Sequence, residues 1–265
     1  MVKFPGLGLE LEISNIAISI LGIDIYWYAI FIVLAIILSL LILKHMCRGE
    51  QCSPDIKFEN ILELTIYMLP IAFIFARLYY VVFNLNYYST NPIQIFNIKS
   101  GGLAIFGGII GGAITAYIYC KLKKINFTEL LDKLVPVLAL SQTIGRWGNF
   151  FNIEAYGTET NNFLRMGIIE NGIYKEVHPT FLYESIADFI IFIILIIMTK
   201  KKVKTSKITL TYLLLYSFTR FFVEGLRTDS LMLFNVRISQ VLSLIIFVIC
   251  CSILCYQVIK TRKNI

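Results

Sequence analysis

Between Gly145 and Gly157 the chain reads Gly145-Arg146-Trp147-Gly148-Asn149-Phe150-Phe151-Asn152-Ile153-Glu154-Ala155-Tyr156-Gly157. Arg146, Asn149 and Asn152 recur three residues apart, so on a continuing helix they share one face. The glycines leave that face bare for the close approach of a ligand or another backbone. An apolar stretch, Leu134 to Ile144, leads into the motif. An arginine, two amides and the Glu154 carboxylate therefore arrive together at the end of a membrane-spanning segment. An arginine placed there is costly unless it faces a protein interior or a polar cavity, which makes it a functional candidate. The bland alternative is a guanidinium snorkelling to the headgroups; the other polar groups on or near its face favour the first reading. Arginine's planar fork of donors matches phosphate, and a phospholipid headgroup is the anion available at that depth.

Three further constellations carry charge into apolar sequence. Arg220 and Glu224 lie four apart and touch on a helix; the plain reading is a paired charge closing a buried interface. Arg77 sits deep in an earlier apolar segment. His178-Pro179-Thr180-Phe181-Leu182-Tyr183-Glu184 opens another, where Glu184 either adds a carboxylate or orients an arginine. His178, a lone histidine before a proline at a helix start, reads most simply as a capping or hydrogen-bonded structural residue. His45 and His178 are the two histidines of the chain, too few to favour a metal site.

The chain must carry these groups on membrane helices. Of its 265 residues 57% are hydrophobic and 15% charged, against about half and a quarter in a soluble domain. Seven spans of about 20 apolar residues are expected, near 26–43, 61–83, 101–120, 130–151, 178–198, 208–226 and 236–259. They form a single all-α transmembrane domain over 1–265, with a small external element at about 158–177. Residues 1–22 read as an interfacial arm, without the basic, apolar and cleavage regions of a secretory signal peptide. Glycines 101, 102, 107, 108, 111 and 112 suit helix packing at small-residue spacing; the sharper reading is a backbone surface shaped around a ligand. The net charge of +7 does not indicate nucleic acid, because the basic residues follow apolar segments. Of 24 Lys and Arg, 15 fall after spans one, three and five and in the C-terminal tail. That asymmetry puts the C-terminus in the cytoplasm, the N-terminus outside and the Arg146 motif at the external leaflet. Cys250, Cys251 and Cys255 read as small buried hydrophobes; Cys47 and Cys52 flank a basic loop and make no zinc pattern.

Together these motifs resemble the prolipoprotein diacylglyceryl transferases of bacterial inner membranes, over nearly the whole chain. Gly145-Arg146-x-Gly148-Asn149-Phe150-x-Asn152-x-Glu154-x-x-Gly157 is the most specific match. Tyr26-Trp27-Tyr28, Arg77, Gly101-Gly102-x-x-x-x-Gly107-Gly108, His178-Pro179-x-x-Leu182-Tyr183-Glu184 and Arg220-x-x-x-Glu224 with Arg227 and Asp229 also look like family positions. The resemblance implies a multi-pass cell-membrane enzyme that moves the diacylglyceryl group of phosphatidylglycerol onto the lipobox cysteine of a prolipoprotein signal peptide. The products are a thioether and glycerol phosphate, and no metal or organic cofactor is implied. Arg146 is then expected on the phosphate, and Arg220, held by Glu224, as a second stabiliser of phosphate or thiolate. Asn149, Asn152 and Glu154 are expected to bind the glycerol hydroxyls and hold Arg146. Tyr28, Arg77, Gly157, His178 and Tyr183 complete the substrate-binding set. One position departs. Many family members carry histidine between the glycine pairs of the third span, where this chain has Phe106. That leaves three readings open: a base elsewhere (Glu224, His178 or water), arginines that suffice to lower the thiol pKa, or a non-catalytic or altered paralogue that binds or transports an anionic lipid.

Overall fold

A computed structural model describes residues 1–48, 56–97, 101–203, 205–234 and 236–263; Cys52, Lys99 and Lys204 lie outside them. The chain opens with strands β1 (Val2–Phe4), β2 (Leu9–Leu11), β3 (Ile16–Ile20) and β4 (Ile23–Tyr26). Helices α1 (Trp27–Met46), α2 (Phe58–Phe83), α3 (Leu85–Thr90), α4 (Ile105–Lys123) and α5 (Phe127–Asn152) follow. Strands β5 (Met166–Glu170) and β6 (Ile173–Val177) lead to helices α6 (Thr180–Lys200) and α7 (Lys207–Leu226). Strands β7 (Met232–Leu233) and β8 (Val236–Arg237) precede the last helix, α8 (Ile238–Lys263). The fold is mostly helical, not all-α as the hydropathy pattern suggested. α1, α2, α4, α6 and α8 are long and apolar enough to cross a membrane. Only 17% of the most apolar window of α2 and 11% of that of α8 is buried, so their apolar faces point outward, as a lipid solvent requires. α5 and α7 are of comparable length and carry the charged groups described below.

The chain divides into two compact units, Met1–Leu43 with Leu131–Ile265, and Lys44–Leu130. In the second unit α2 packs on α4 through glycine. A Cβ at Gly107 would stand 2.3 Å from the Phe75 carbonyl oxygen, and one at Gly111 would stand 2.6 Å from the Phe75 Cβ. These two glycines therefore serve helix contact. The third span begins at Ile105 rather than at Gly101. Gly101 and Gly102 have φ of +83° and +84°, a left-handed conformation that ends rather than starts a helix and that glycine adopts without strain.

In the first unit the N-terminal arm is a pair of hairpins, which alternating Val2 and Phe4 make possible over very few residues. β1 sits inside a four-stranded sheet of order β2-β1-β5-β6, pairing Lys3 with Gly167, and β3 pairs antiparallel with β4. Val2 and Phe4 join Phe150, Met166, Ile168, Val177 and Phe181 in one apolar cluster. Each such side chain contributes roughly 2 kcal/mol relative to exposure to water. The cluster fixes the end of α5 and the start of α6. Lower on the helices, Val135 and Ala139 meet Ile191, Leu195, Ile208 and Tyr212. Asp132 accepts from the Ser206 and Thr209 amides at 2.6 and 2.8 Å, which satisfies donors at the start of α7. Cys250 is buried, whereas Cys251 and Cys255 are exposed; the thiols lie on both faces of α8, and a weakly polar thiol tolerates either.

Candidate active site

α5 runs to Asn152, so Arg146, Asn149 and Asn152 share the face their spacing indicated. The chain then turns sharply. Ile153 and Ala155 have φ of 51° and 56°, a strained region for side chains with a Cβ, most of all for a β-branched one. The turn is held from both sides. The Ile153 amide donates to the Phe150 carbonyl at 3.1 Å and the Glu154 amide to that of Asn149 at 3.0 Å, closing the carbonyls of the last turn. The Thr180 hydroxyl donates to the Ala155 carbonyl, and the Gly157 amide to that of His178 at 2.9 Å. Glu154 thereby swings back under α5, where its Oε1 accepts from the side-chain amides of Asn149 (2.8 Å) and Asn152 (3.4 Å).

The motif glycines make room mainly for protein. A Cβ at Gly148 would lie 2.6 Å from the Tyr28 ring, and one at Gly157 would lie 2.7 Å from the His178 Cβ. Gly145 has nothing within 4 Å. The small residues thus seat Tyr28 and His178 against the α5 end.

The charges meet at Glu184, whose side chain is 4% exposed. Its Oε1 accepts from Arg220 Nη1. Its Oε2 lies 3.1 Å from Arg146 Nη1 and 3.7 Å from Arg227 Nη1. Arg220 Nη2 stands 2.6 Å from Glu224 Oε2, one helical turn along α7. Arg227 closes a fork on Asp229 with bonds of 2.9 and 2.7 Å, which holds the Asp229 carboxyl below its usual pKa. Arg237 donates to the Glu224 carbonyl at 2.7 Å. Arg146 is therefore held by Glu184, not by the Asn149–Asn152–Glu154 group expected to do so; that group forms its own network beside it. Arg146 Nε, Glu184 Oε2, Asp188 Oδ2 and Glu224 Oε2 are buried without a hydrogen-bond partner. The two Oε2 atoms have cations close by but not at hydrogen-bonding angles. Among the described residues the orphaned buried side-chain atoms all belong to this one cluster.

His178 Nδ1 lies 3.3 Å from the Tyr183 hydroxyl, and burial lowers the imidazole's pKa by disfavouring its charged form. Arg77 belongs to the second unit. Its Nε donates to the Ile95 carbonyl (2.9 Å), Nη1 to Gly101 and Gly102 (both 2.8 Å), and Nη2 to Gln94 (2.6 Å) and Asn97 (2.9 Å). All five N–H donors are used. The side chain also covers the Tyr88 ring at 5.3 Å. It anchors residues 94–97 and 101–102 and retains no N–H for the substrate it was expected to help bind. Phe106, in the same unit, lies with its ring 6.4 Å from that of Tyr79.

Sequence reasoning placed Arg146, Arg220 and Glu224 in the site but left Glu184 with two alternative roles and did not single out Asp188. Both are buried acids, 4% and 2% exposed, one turn apart in an otherwise apolar helix. That pattern in a membrane span is itself a functional signal.

Apolar helix faces turned outward, and a cluster of half-buried arginines on buried carboxylates, define an integral membrane protein with a polar site. The family model for prolipoprotein diacylglyceryl transferase matches residues 15–256. A phosphatidylglycerol–prolipoprotein diacylglyceryl transferase of Clostridioides difficile is 49% identical over 232 residues, 88% of this chain and 90% of the relative. One from Finegoldia magna is 47% identical over 236 residues, covering 89% and 92%, and one from Clostridium novyi is 41% identical over 259, covering 95% and 98%. The chain belongs to the prolipoprotein diacylglyceryl transferase family.

Proposed function

We propose that the protein transfers the diacylglyceryl group of phosphatidylglycerol to the lipobox cysteine of a prolipoprotein signal peptide, the first step of lipoprotein maturation. It does so in the cell membrane of a bacterium, as a single transmembrane domain of seven spans with the N-terminus outside and the C-terminus cytoplasmic. The family and its relatives support the reaction, and the basic residues after alternate spans support the orientation. The observation that carries the site assignment is the uneven commitment of the arginines. Arg146 contacts one acid through one nitrogen, while Arg220 and Arg227 each engage two acids.

In the reaction the cysteine sulfur attacks the diacylglycerol carbon that bears the phosphate. The C–O bond breaks, its electron pair leaves on the phosphate oxygen, and the thiol proton is released. A phosphodiester with one negative charge becomes a monoester with a second, so cations placed beforehand at that oxygen lower the barrier. Arg146 holds the phosphate. Arg220, braced by Glu184 and Glu224, stabilises the charge that grows on the leaving group or the thiolate. A thiol of pKa about 8.5 is brought within range of ionisation by such neighbours. Asn149, Asn152 and Glu154 receive the glycerol hydroxyls, with Tyr28, Gly157, His178 and Tyr183 shaping the cavity.

The test is mass spectrometry of a lipobox peptide incubated with the purified protein and phosphatidylglycerol. A gain of one diacylglyceryl group on cysteine is expected, and Arg146→Ala should abolish it at normal protein levels. Transfer by that variant at the wild-type rate sinks the assignment of Arg146. A second reading, an altered relative that binds lipid without turnover, is favoured by Phe106 alone; lipid binding with no product from folded protein would establish it.

A further inference from the structure

Among the described residues Asp188 is the acid of the cluster with no ion pair, although it is 2% exposed. It lies one helical turn beyond Glu184 on α6, within the electrostatic reach of Arg146 and Arg220. Its Oδ2 and the Nε of Arg146 are both buried and both lack a partner, a mismatched acceptor and donor that each carry a desolvation penalty.

The helices bring these two atoms toward each other. Phe150 of α5 packs on Phe181 of α6 at 4.8 Å, and the Ser185 hydroxyl donates to the Thr143 carbonyl at 3.0 Å. Ala139 shares a cluster with Ile191. The order of these contacts makes α5 and α6 antiparallel. A helical side chain leans toward the N-terminus of its own helix. Arg146 therefore leans back toward Thr143, and Asp188 leans toward Ser185. Each leans toward the level the other occupies.

We infer that Asp188 is a positioning residue for Arg146: its carboxyl oxygen takes the Nε–H of the guanidinium when a phosphate draws the terminal nitrogens away from Glu184. Nε is then held from one side while Nη1 and Nη2 face the anion. Two acids one turn apart thus give the arginine two anchorages, Glu184 before the lipid arrives and Asp188 once it is bound. The inference rests on the proposal that Arg146 binds the lipid phosphate.

The test is a double-mutant cycle on the full-length protein with phosphatidylglycerol vesicles and a lipobox peptide. Asp188→Asn keeps an oxygen acceptor, and Asp188→Leu keeps the volume without one. With Arg146 present, Asp188→Leu should lower kcat/KM by about tenfold or more, and Asp188→Asn should stay within about threefold of wild type. In an Arg146→Lys background, which has no Nε–H, the leucine change should have no further effect on phosphatidylglycerol affinity, whereas with Arg146 it should weaken it. A leucine variant equal to wild type overturns the inference. So does an asparagine variant as impaired as leucine, or an equal penalty in both backgrounds. Melting temperatures identify misfolding; if the leucine variant misfolds, Asp188→Ala decides in the same cycle. Failure of the wild type to transfer lipid would count against the proposed reaction, while the affinity cycle would still test Asp188.

Discussion

Glu184→Gln is the most informative single change. The carboxylate accepts directly from Arg220 and lies 3.1 and 3.7 Å from nitrogens of Arg146 and Arg227. At such separations and an effective dielectric of 20, each unit pair is worth about 4 kcal/mol, so the gross attraction is on the order of 10 kcal/mol. Burial of the carboxylate offsets most of this, and removing one partner from a buried pair costs about 3–5 kcal/mol net. Glutamine keeps one oxygen for Arg220 and turns an amide toward the other two guanidiniums. The loss of stability should therefore sit near the lower end, about 3 kcal/mol, and with the arginines released from their common brace lipid transfer should slow. The assay is kcat/KM for diacylglyceryl transfer to a lipobox peptide, measured beside the melting temperature of the same preparation. Both should fall. A variant with wild-type melting and kcat/KM within threefold of wild type would refute Glu184 as the common brace of the three arginines.

Two further outcomes follow from the same contacts. Gly145→Ala meets nothing within 4 Å on a helical backbone and should be neutral or stabilising by up to about 1 kcal/mol. Gly157→Ala would meet the His178 Cβ at 2.7 Å and the Leu226 carbonyl at 3.0 Å and should cost about 1–3 kcal/mol, so the melting temperatures of the two variants should move apart. Burial lowers the His178 pKa: the native state binds this proton less readily than the unfolded chain. The stability it contributes is thus present above about pH 6.5 and is lost as pH falls through the folded pKa. Melting temperature should drop over that acidic range more in the wild type than in His178→Asn.

Residue spacing made the face of α5 legible, because helix periodicity is local and Arg146, Asn149 and Asn152 obey it. Membrane character was legible from composition for the same reason. What pairs over long distance was not. Val2 and Phe4 are two alternating residues, too few to announce a strand whose partner is β5, far along the chain. Backbone conformation was equally hidden: no pattern in the sequence says that Gly101 and Gly102 turn their carbonyls onto Arg77, so that arginine read as a ligand site instead of a loop anchor. Glu184 and Asp188 were visible as acids in an apolar helix, yet their roles depend on which arginines other helices bring to them, and that is a property of packing.

Four arginines in or at the ends of apolar helices raised the same question, and the count of their committed donors separates them. Arg77 has spent every N–H on carbonyls. Arg227 has closed its fork on Asp229 and reaches Glu184 only at 3.7 Å. Arg220 is divided between Glu184 and Glu224. Arg146 touches a single carboxylate, and shares it. A cation that is to bind an arriving anion must hold donors in reserve and must not collapse onto the nearest acid. Sharing achieves both, because each additional guanidinium on Glu184 weakens its hold on any one of them. Under the proposed assignment a lipid phosphate competes with one weakened contact at Arg146, whereas at Arg77 it would have to break five hydrogen bonds. The arginine held least firmly by the protein is the one best placed to act on substrate.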